Sequence, residues 1–363
     1  MARASKQQFE SAWAVDFPDS VAPDQLPARG VDELTAENAS SLSAHPFRLA
    51  PMAGVTDAVY RGIFRENGCP LAYTEMVSVA GLAHDSAKTW DLIFPSRQED
   101  RVAVQLFGSR PEQFGPAADA VCSRLGARLA LVDINMACPV PKVFKKGEGC
   151  ALMGRPDVAA RIVDQTREAI AGRVPLTVKI RLGTRSDETL APDFARMLEQ
   201  HGVNGVAVHG RYASQLYRGA ADWGLIDEVA GSVRVPVIGS GDVMTPADAV
   251  ARLRQTRVSG VFVARGSYGA PWFFSNAEHL LRTGEEPPEP TVEQRLGLLR
   301  THVLRYAQTG RHMARLRPLV GWYVKGLPAA SVWRNRAMSC TGERDYLDLI
   351  DEMLLACREH GMA

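Results

Sequence analysis

The 363-residue chain has no uninterrupted apolar run of about 18 residues, so no helix in it is expected to cross a membrane. Its first residues lack an apolar core, so no secretory signal is expected either. The six cysteines include no CxxC pair and no other paired spacing. That argues against a disulfide framework and against a bound metal, and for reduced thiols in a cytoplasm. Acidic residues are missing altogether from residues 295–336, which hold nine Lys or Arg and leave 33 basic against 41 acidic residues elsewhere. The formal net charge of +1 therefore hides a local excess of the kind that meets a polyanion, although a solvated charged face is the plainer alternative. What remains is ordinary: 46% hydrophobic and 23% charged residues, enough for one large core and an appendage.

Residues 1–44 are small and polar and are expected to form a largely disordered extension. Eight short apolar runs then follow, at residues 47–53, 71–76, 102–107, 129–135, 175–181, 205–209, 235–240 and 260–264. Helical periodicity lies between them. Phe114, Ala118, Val121 and Leu125 repeat on one face behind Pro111, and Val158, Ile162 and Ile170 do so behind Pro156. Eight strands alternating with helices match the rhythm of an α/β (β/α)8 TIM barrel over residues 45–284. An open doubly wound sheet would put phosphate-binding glycines after its first strand, where this chain reads Met52-Ala53-Gly54-Val55-Thr56. The Pro- and Glu-rich residues 285–290 read as a linker, and residues 291–363 as a small helical domain. Its cations are interleaved with Tyr306, Trp322, Tyr323 and Trp333, a mixture suited to RNA if the rings are not simply core.

In such a barrel the C-terminal strand ends converge on one site. Here they carry Met52 and Ala53, Glu75, Gln105, Asn135 with Cys138, Lys179 with Arg181, His209 with Arg211, Ser240-Gly241-Asp242, and Arg265-Gly266. The glycines after the seventh and eighth runs, with Arg265, suit a phosphate. Lys179 fits either a Schiff-base nucleophile or a charge beside an electron-rich ring such as a reduced flavin. Gln105 can donate and accept at the imide edge of a flavin or pyrimidine. His209 alone reads as a base, a phosphate ligand or a satisfied barrel histidine. Cys138 sits just past a strand tip, ahead of Lys142, Lys145 and Lys146, where a thiol exchanges protons more readily than in a core.

The motifs APMAGVTD (residues 50–57), VQLFG (104–108), INMACPV (134–140), VKIRLG (178–183), VHGR (208–211), PVIGSGDV (236–243) and ARGSYGAPW (264–272) resemble, in order and spacing, the tRNA-dihydrouridine synthases, the bacterial B-type most of all. The likeness runs over roughly 315 residues from about Phe47, leaving the N-terminal extension uncovered. It implies an FMN-bound barrel that reduces the uridine C5–C6 double bond in tRNA with NADPH or NADH. It further implies that Pro51, Met52 and Ala53 line the flavin and that Gln105 and Lys179 contact its ring. His209 would help to hold the cofactor, while Ser240, Gly241, Asp242, Ala264 and Arg265 would hold its phosphate side. Cys138 would be the proton donor, with Asn135, Lys142 and Arg181 near the uridine or its backbone. Arg211, Arg315 and Arg317 are expected to meet tRNA, and the protein to be a monomer. Three positions depart from the family pattern: Ala137, Ser240 and Ala264 stand where Gly, Asn and Gly are usual.

The chemistry accounts for the residue types. Hydride arriving at uracil C6 leaves enolate character at C5 and O4, and a thiol on the other face supplies the proton. An acid is needed at that moment, so a strongly depressed thiol pKa would be a handicap. The lysines after Cys138 then serve RNA phosphate, and Cys150 is expected to be structural. The alternatives are a Schiff-base aldolase using Lys179 and a non-catalytic tRNA-binding protein.

Overall fold

A computed structural model describes residues 44–361; the extension expected over residues 1–44 lies, Ala44 apart, outside them. The strands are β1 (Phe47–Leu49), β2 (Tyr73–Ser78), β3 (Val102–Phe107), β4 (Leu129–Met136), β5 (Leu176–Arg181), β6 (Gly205–His209), β7 (Val237–Ser240) and β8 (Gly260–Val263). They pair in the parallel order β1-β8-β7-β6-β5-β4-β3-β2. A parallel bridge between Leu49 and Ala72 joins the two ends, with the Leu49 N–H donating to the Leu71 carbonyl at 3.1 Å. The sheet thus curls into the expected (β/α)8 barrel. The main helix after each strand takes that strand's number: α1 (Ala58–Glu66), α2 (Val79–Ala83), α3 (Pro111–Leu125), α4 (Pro156–Ile170), α5 (Ala191–Gln200), α6 (Trp223–Ser232), α7 (Pro246–Gln255) and α8 (Phe273–Thr283), with short helical turns at Ala87–Trp90 and Pro141–Phe144 besides. Proline opens α3, α4 and α7, where its missing N–H costs no helical bond.

Two strands end where backbone chemistry requires. β1 stops at Leu49, short of the expected residue 53, because Pro51 has no ladder donor and the Val55 and Thr56 N–H groups fold back onto the Met52 carbonyl at 3.1 and 3.0 Å. β7 starts at Val237, just after Pro236.

The pleat sorts the side chains. Val132, Ile134, Val178, Ile180, Val206 and Val208 face outward and are buried under the helices, each contributing roughly 1.5–3 kcal/mol. Leu131, Tyr73, Ala207, Ile238 and Phe262 fill the barrel interior. In the same inward rows lie Asp133, Asn135, Thr177, Lys179, Arg181 and His209, and the register sets Asn135 beside Lys179 and Arg181 beside His209.

Beyond Gly284, which ends α8 with φ +81, and residues 285–290, the chain forms α9 (Val292–Gln308), α10 (Arg317–Tyr323), α11 (Ala330–Ala337) and α12 (Glu343–Glu359). Thr291 and Gln294 form a capping box at the start of α9. This cluster docks on α1 and the β8–α8 loop. Arg305 pairs with Glu66 at 2.6 Å, His302 lies 5.8 Å from the Tyr60 ring, and Trp322 stacks on Tyr268 at 3.9 Å. Tyr306, Tyr323 and Trp333 are buried, so three of the four rings weighed as RNA platforms are core.

Candidate active site

The C-terminal strand ends open into one cavity of about 610 Å³. Pro51, Met52 and Ala53 line it from β1, Asn135 and Cys138 from β4, Lys179 and Arg181 from β5, and His209 from β6. Ser240, Gly241 and Asp242 line it from β7, and Ala264 and Arg265 from β8.

Cys138 is held on three sides. Asn135 Oδ1 accepts from the Ala137 and Cys138 N–H groups at 3.1 and 2.9 Å, which turns the chain at the strand tip. Arg181 Nε donates to the Ala137 carbonyl at 2.9 Å. The Cys150 N–H donates to the Cys138 carbonyl at 3.0 Å, and Gly149 makes that approach possible. At φ +61, with an added Cβ only 2.7 Å from the Cys138 oxygen, Gly149 admits no side chain. Ala137 is not among the left-handed residues, so its methyl group adds no backbone strain. Burial pushes the Cys138 thiol above its usual pKa, against the Val140 N–H and the charges of Arg181 and Lys179. Burial pushes Cys150 up to about 12, as suits a structural thiol.

Lys179 is buried, and desolvation together with Arg181 lowers its ammonium to about 8 against the opposing pull of Asp133. Asp133 is itself raised to about 6 by burial, against hydrogen bonds from Gln105 and Thr177. His209 is driven well below its usual pKa by burial and by Lys179, Arg181, Arg211 and Arg265, so the ring is neutral. Arg211 Nη1 lies 3.3 Å from His209 Nε2. A guanidinium only donates, so Nε2 accepts and the ring proton sits on Nδ1.

At the β7 and β8 ends the backbone forms an anion cradle. Among the described residues, the N–H groups of Gly241, Asp242 and Arg265 donate to no other backbone group. Gly241 has φ +128, and a Cβ there would stand 2.5 Å from the Ala221 methyl. Burial alone would raise the Asp242 carboxyl, but Arg211, the Ala221 N–H and Arg265 hold it below its usual range. The contacts are 2.7 Å from Arg211, 2.7 Å from Ala221 and 3.0 Å from Arg265.

The family described as dihydrouridine synthase (Dus) matches residues 48–357. The chain belongs to the dihydrouridine synthase family. It is 36% identical over 291 residues to a probable tRNA-dihydrouridine synthase of Rickettsia conorii, covering 79% of this chain and 86% of that protein. It is 34% identical over 314 residues to tRNA-dihydrouridine synthase B of Xanthomonas axonopodis pv. citri, covering 83% and 92%. The B enzyme of Pseudomonas aeruginosa is 35% identical over 291 residues, covering 79% and 86%.

Some of the residues expected at the site lie away from the cavity in this member of the family. Gln105 is fully buried below the lining, its amide engaged by Asp133 and Asn135 at 2.7 Å each. Arg211, expected at the tRNA, is instead buried and committed to Asp242, His209 and the Arg218 and Gly219 carbonyls. Lys142 is exposed, and its neighbours Val140 and Val143 line the cavity in its place. Arg315 is exposed, and Arg317 donates to the Cys340 carbonyl at 3.2 Å beside a groove containing Trp322 and Arg334. The structure also adds Tyr217 and Tyr268 to the lining. Tyr217 follows Leu216, whose φ of +54 no composition signal announces. Glu75 accepts from the Gly54 N–H, while its other oxygen is buried without a partner.

The basic segment is more neutral than its composition. Arg305 pairs with Glu66, Arg311 with Asp57 and Asp91, Arg300 with Asp351, and Arg336 with Glu352. Among the described residues Arg295, Arg315, Arg317, Lys325 and Arg334 form no ion pair; Arg295 is half-buried and donates to the Lys325 carbonyl, so the other four carry most of the positive surface that remains.

Proposed function

We propose that this protein reduces the C5–C6 double bond of specific uridines in tRNA to 5,6-dihydrouridine, with FMN as cofactor, NADPH or NADH as reductant and Cys138 as proton donor. The observation that carries the reading is a thiol kept protonated by burial in the same cavity as Lys179 and an anion cradle. The residues suit FMN: the N–H groups of Gly241, Asp242 and Arg265 with the Arg265 side chain for its phosphate, and Pro51, Met52, Ala53 and Lys179 for its ring. Bound there, the flavin supplies hydride chemistry that no side chain of this chain offers.

The chain's own residues do the rest. Cys138 Sγ holds the proton that uracil C5 takes, and a raised pKa keeps that proton in place until the base becomes basic. Arg181 pins the Cys138 loop to the β6–α6 loop through the Ala137, Tyr212 and Leu216 carbonyls at 2.9, 2.9 and 2.8 Å. Neutral His209 offers no competing acid. Residues 291–363 act as the tRNA-binding domain, and the enzyme works as a cytoplasmic monomer.

Incubated with purified protein, FMN and NADPH, unmodified tRNA should gain two hydrogens at defined uridines by mass spectrometry, with loss of the uracil absorbance. Failure to convert unmodified tRNA with either nicotinamide rejects the reading. A colourless protein that forms a borohydride-trapped adduct at Lys179 would favour an aldolase instead.

A further inference from the structure

A chain of hydrogen bonds runs through the barrel interior to the Cys138 loop. Thr177 Oγ1 donates to Asp133 Oδ1 at 2.6 Å, and Gln105 Nε2 donates to Asp133 Oδ2 at 2.7 Å. Asn135 Nδ2 donates to Gln105 Oε1 at 2.7 Å, and Asn135 Oδ1 accepts the Ala137 and Cys138 N–H groups. Asp133, Gln105 and Asn135 are all buried. An amide placed by its neighbours can face either way, yet here both ends of the chain impose one direction. A carboxylate only accepts, so Gln105 must turn its NH2 toward Asp133 and its oxygen toward Asn135. Backbone N–H groups only donate, so Asn135 must turn its oxygen toward Cys138 and its NH2 toward Gln105. The two requirements meet at the Gln105–Asn135 bond and agree.

We infer that Asp133 is a positioning residue: through Gln105 it fixes the orientation of Asn135, so that Asn135 holds the Cys138 loop and offers the cavity an N–H donor only. Both Asn135 oxygen lone pairs are used by the loop, and one amide hydrogen remains. That donor suits a carbonyl oxygen of the bound base, where negative charge develops as C6 is reduced, and not an N–H of the base. Asp133 touches neither base nor cofactor; it acts through Gln105. Inside a barrel a half-satisfied network loses its geometry, because each buried group left without a partner seeks another. The inference rests on the proposed role of Cys138.

The test uses FMN-saturated holoenzyme and two half-reactions: flavin reduction by NADPH, and reoxidation of the reduced flavin by unmodified tRNA. Asp133→Leu should slow the tRNA half-reaction by about 10- to 100-fold, the scale on which supporting partners of site groups act, with little change in flavin reduction or tRNA KM. The alkylation rate of Cys138 by iodoacetamide should shift with it. Asp133→Asn can still accept from Gln105 through Oδ1 and donate to Thr177 through Nδ2, so it should stay within about threefold of wild type. In a Gln105→Leu background Asp133→Leu should add no further loss, because the path is already cut.

Wild-type tRNA rates in Asp133→Leu overturn the inference, as does full additivity with Gln105→Leu. An Asp133→Asn as slow as Asp133→Leu also overturns it, since charge and not direction would then be what matters. Asp133→Ala replaces Asp133→Leu if the latter does not fold. Failure of both to fold while Asp133→Asn works assigns Asp133 to the fold and counts against positioning. Cys138→Ala separates the two ideas: full activity there rejects the proton donor itself, whatever Asp133 does.

Discussion

Cys138 stands ahead of three lysines in the sequence, but its surroundings in the fold favour the protonated thiol over the thiolate. Lys142 is exposed, and burial outweighs the cations that do approach, Arg181 and Lys179. Cys138→Ala should therefore keep its flavin spectrum and lose roughly 10²–10⁴-fold in uridine reduction, the usual worth of a positioned general acid. Unchanged single-turnover kinetics with tRNA would remove Cys138 from the reaction. Lys179 gives a second prediction, with its sign set by a pKa lowered to about 8. The carbonyl edge of the flavin ring accepts a stronger hydrogen bond from the protonated ammonium than from the amine, so FMN affinity of the apoprotein should be full below about 8. Above it, affinity should fall by at most tenfold per pH unit. Lys179→Met should bind FMN weakly with no such decline, which a fluorescence titration across pH reads directly. The folded-state linkage runs the other way. With the folded pKa depressed, the unfolded chain holds more protons between about 8 and 10.5, so this group makes stability rise with pH there.

Among the elements, α1 shows what periodicity does not reveal. Arg61, fully buried, donates to Glu99 at 2.7 and 3.2 Å, to the Thr56 carbonyl at 2.8 Å and to the Phe94 carbonyl at 3.0 Å. One guanidinium thus ties the β1–α1 turn, next to the cavity residues 51–53, to the long connection between β2 and β3. Arg61→Leu leaves the Glu99 carboxylate buried and unpaired and should cost about 3–5 kcal/mol in denaturant unfolding, whereas Arg61→Leu with Glu99→Leu should recover much of it. A single variant within about 0.5 kcal/mol of wild type would show that water replaces the guanidinium. Nothing in the spacing of Arg61 and Glu99 marks them as partners, because their meeting depends on the closed barrel. The eight strands and their helices were readable in advance, since each carries its own apolar period and its own proline or cap. Asn135, Cys138, Lys179 and Arg181 were readable for a related reason: they sit at the ends of those periods. The commitment of Gln105 and Arg211 to buried partners was not, because a side chain's partners come from strands distant in sequence. Asp133 sits inside an apolar run, where only its alternation with Val132 and Ile134 points it inward.

For the whole molecule, the question is how a chain with a net charge of +1 meets a polyanion. Composition concentrates nine cations in residues 295–336, but folding spends several of them on carboxylates of α1, α12 and the β2–β3 connection. Those pairs serve the docking of the helical cluster on the barrel and inside itself. The cations left over are the half-buried Arg295 and, in α10, α11 and the turns beside α10, Arg315, Arg317, Lys325 and Arg334, of which Arg317 and Arg334 line a groove containing Trp322. Each phosphate neutralised releases a bound counterion and adds somewhat less than one to the slope of log affinity against log salt. Arg315→Ala with Arg317→Ala should accordingly reduce the magnitude of the slope for tRNA binding by about 1–2 and weaken binding at low salt. Arg300→Ala and Arg336→Ala remove the same formal charge from cations already paired, and should change the slope far less. Equal slope changes in the two double variants would mean that the ion pairs open when RNA binds. The footprint would then be the composition of the segment and not its folded surface.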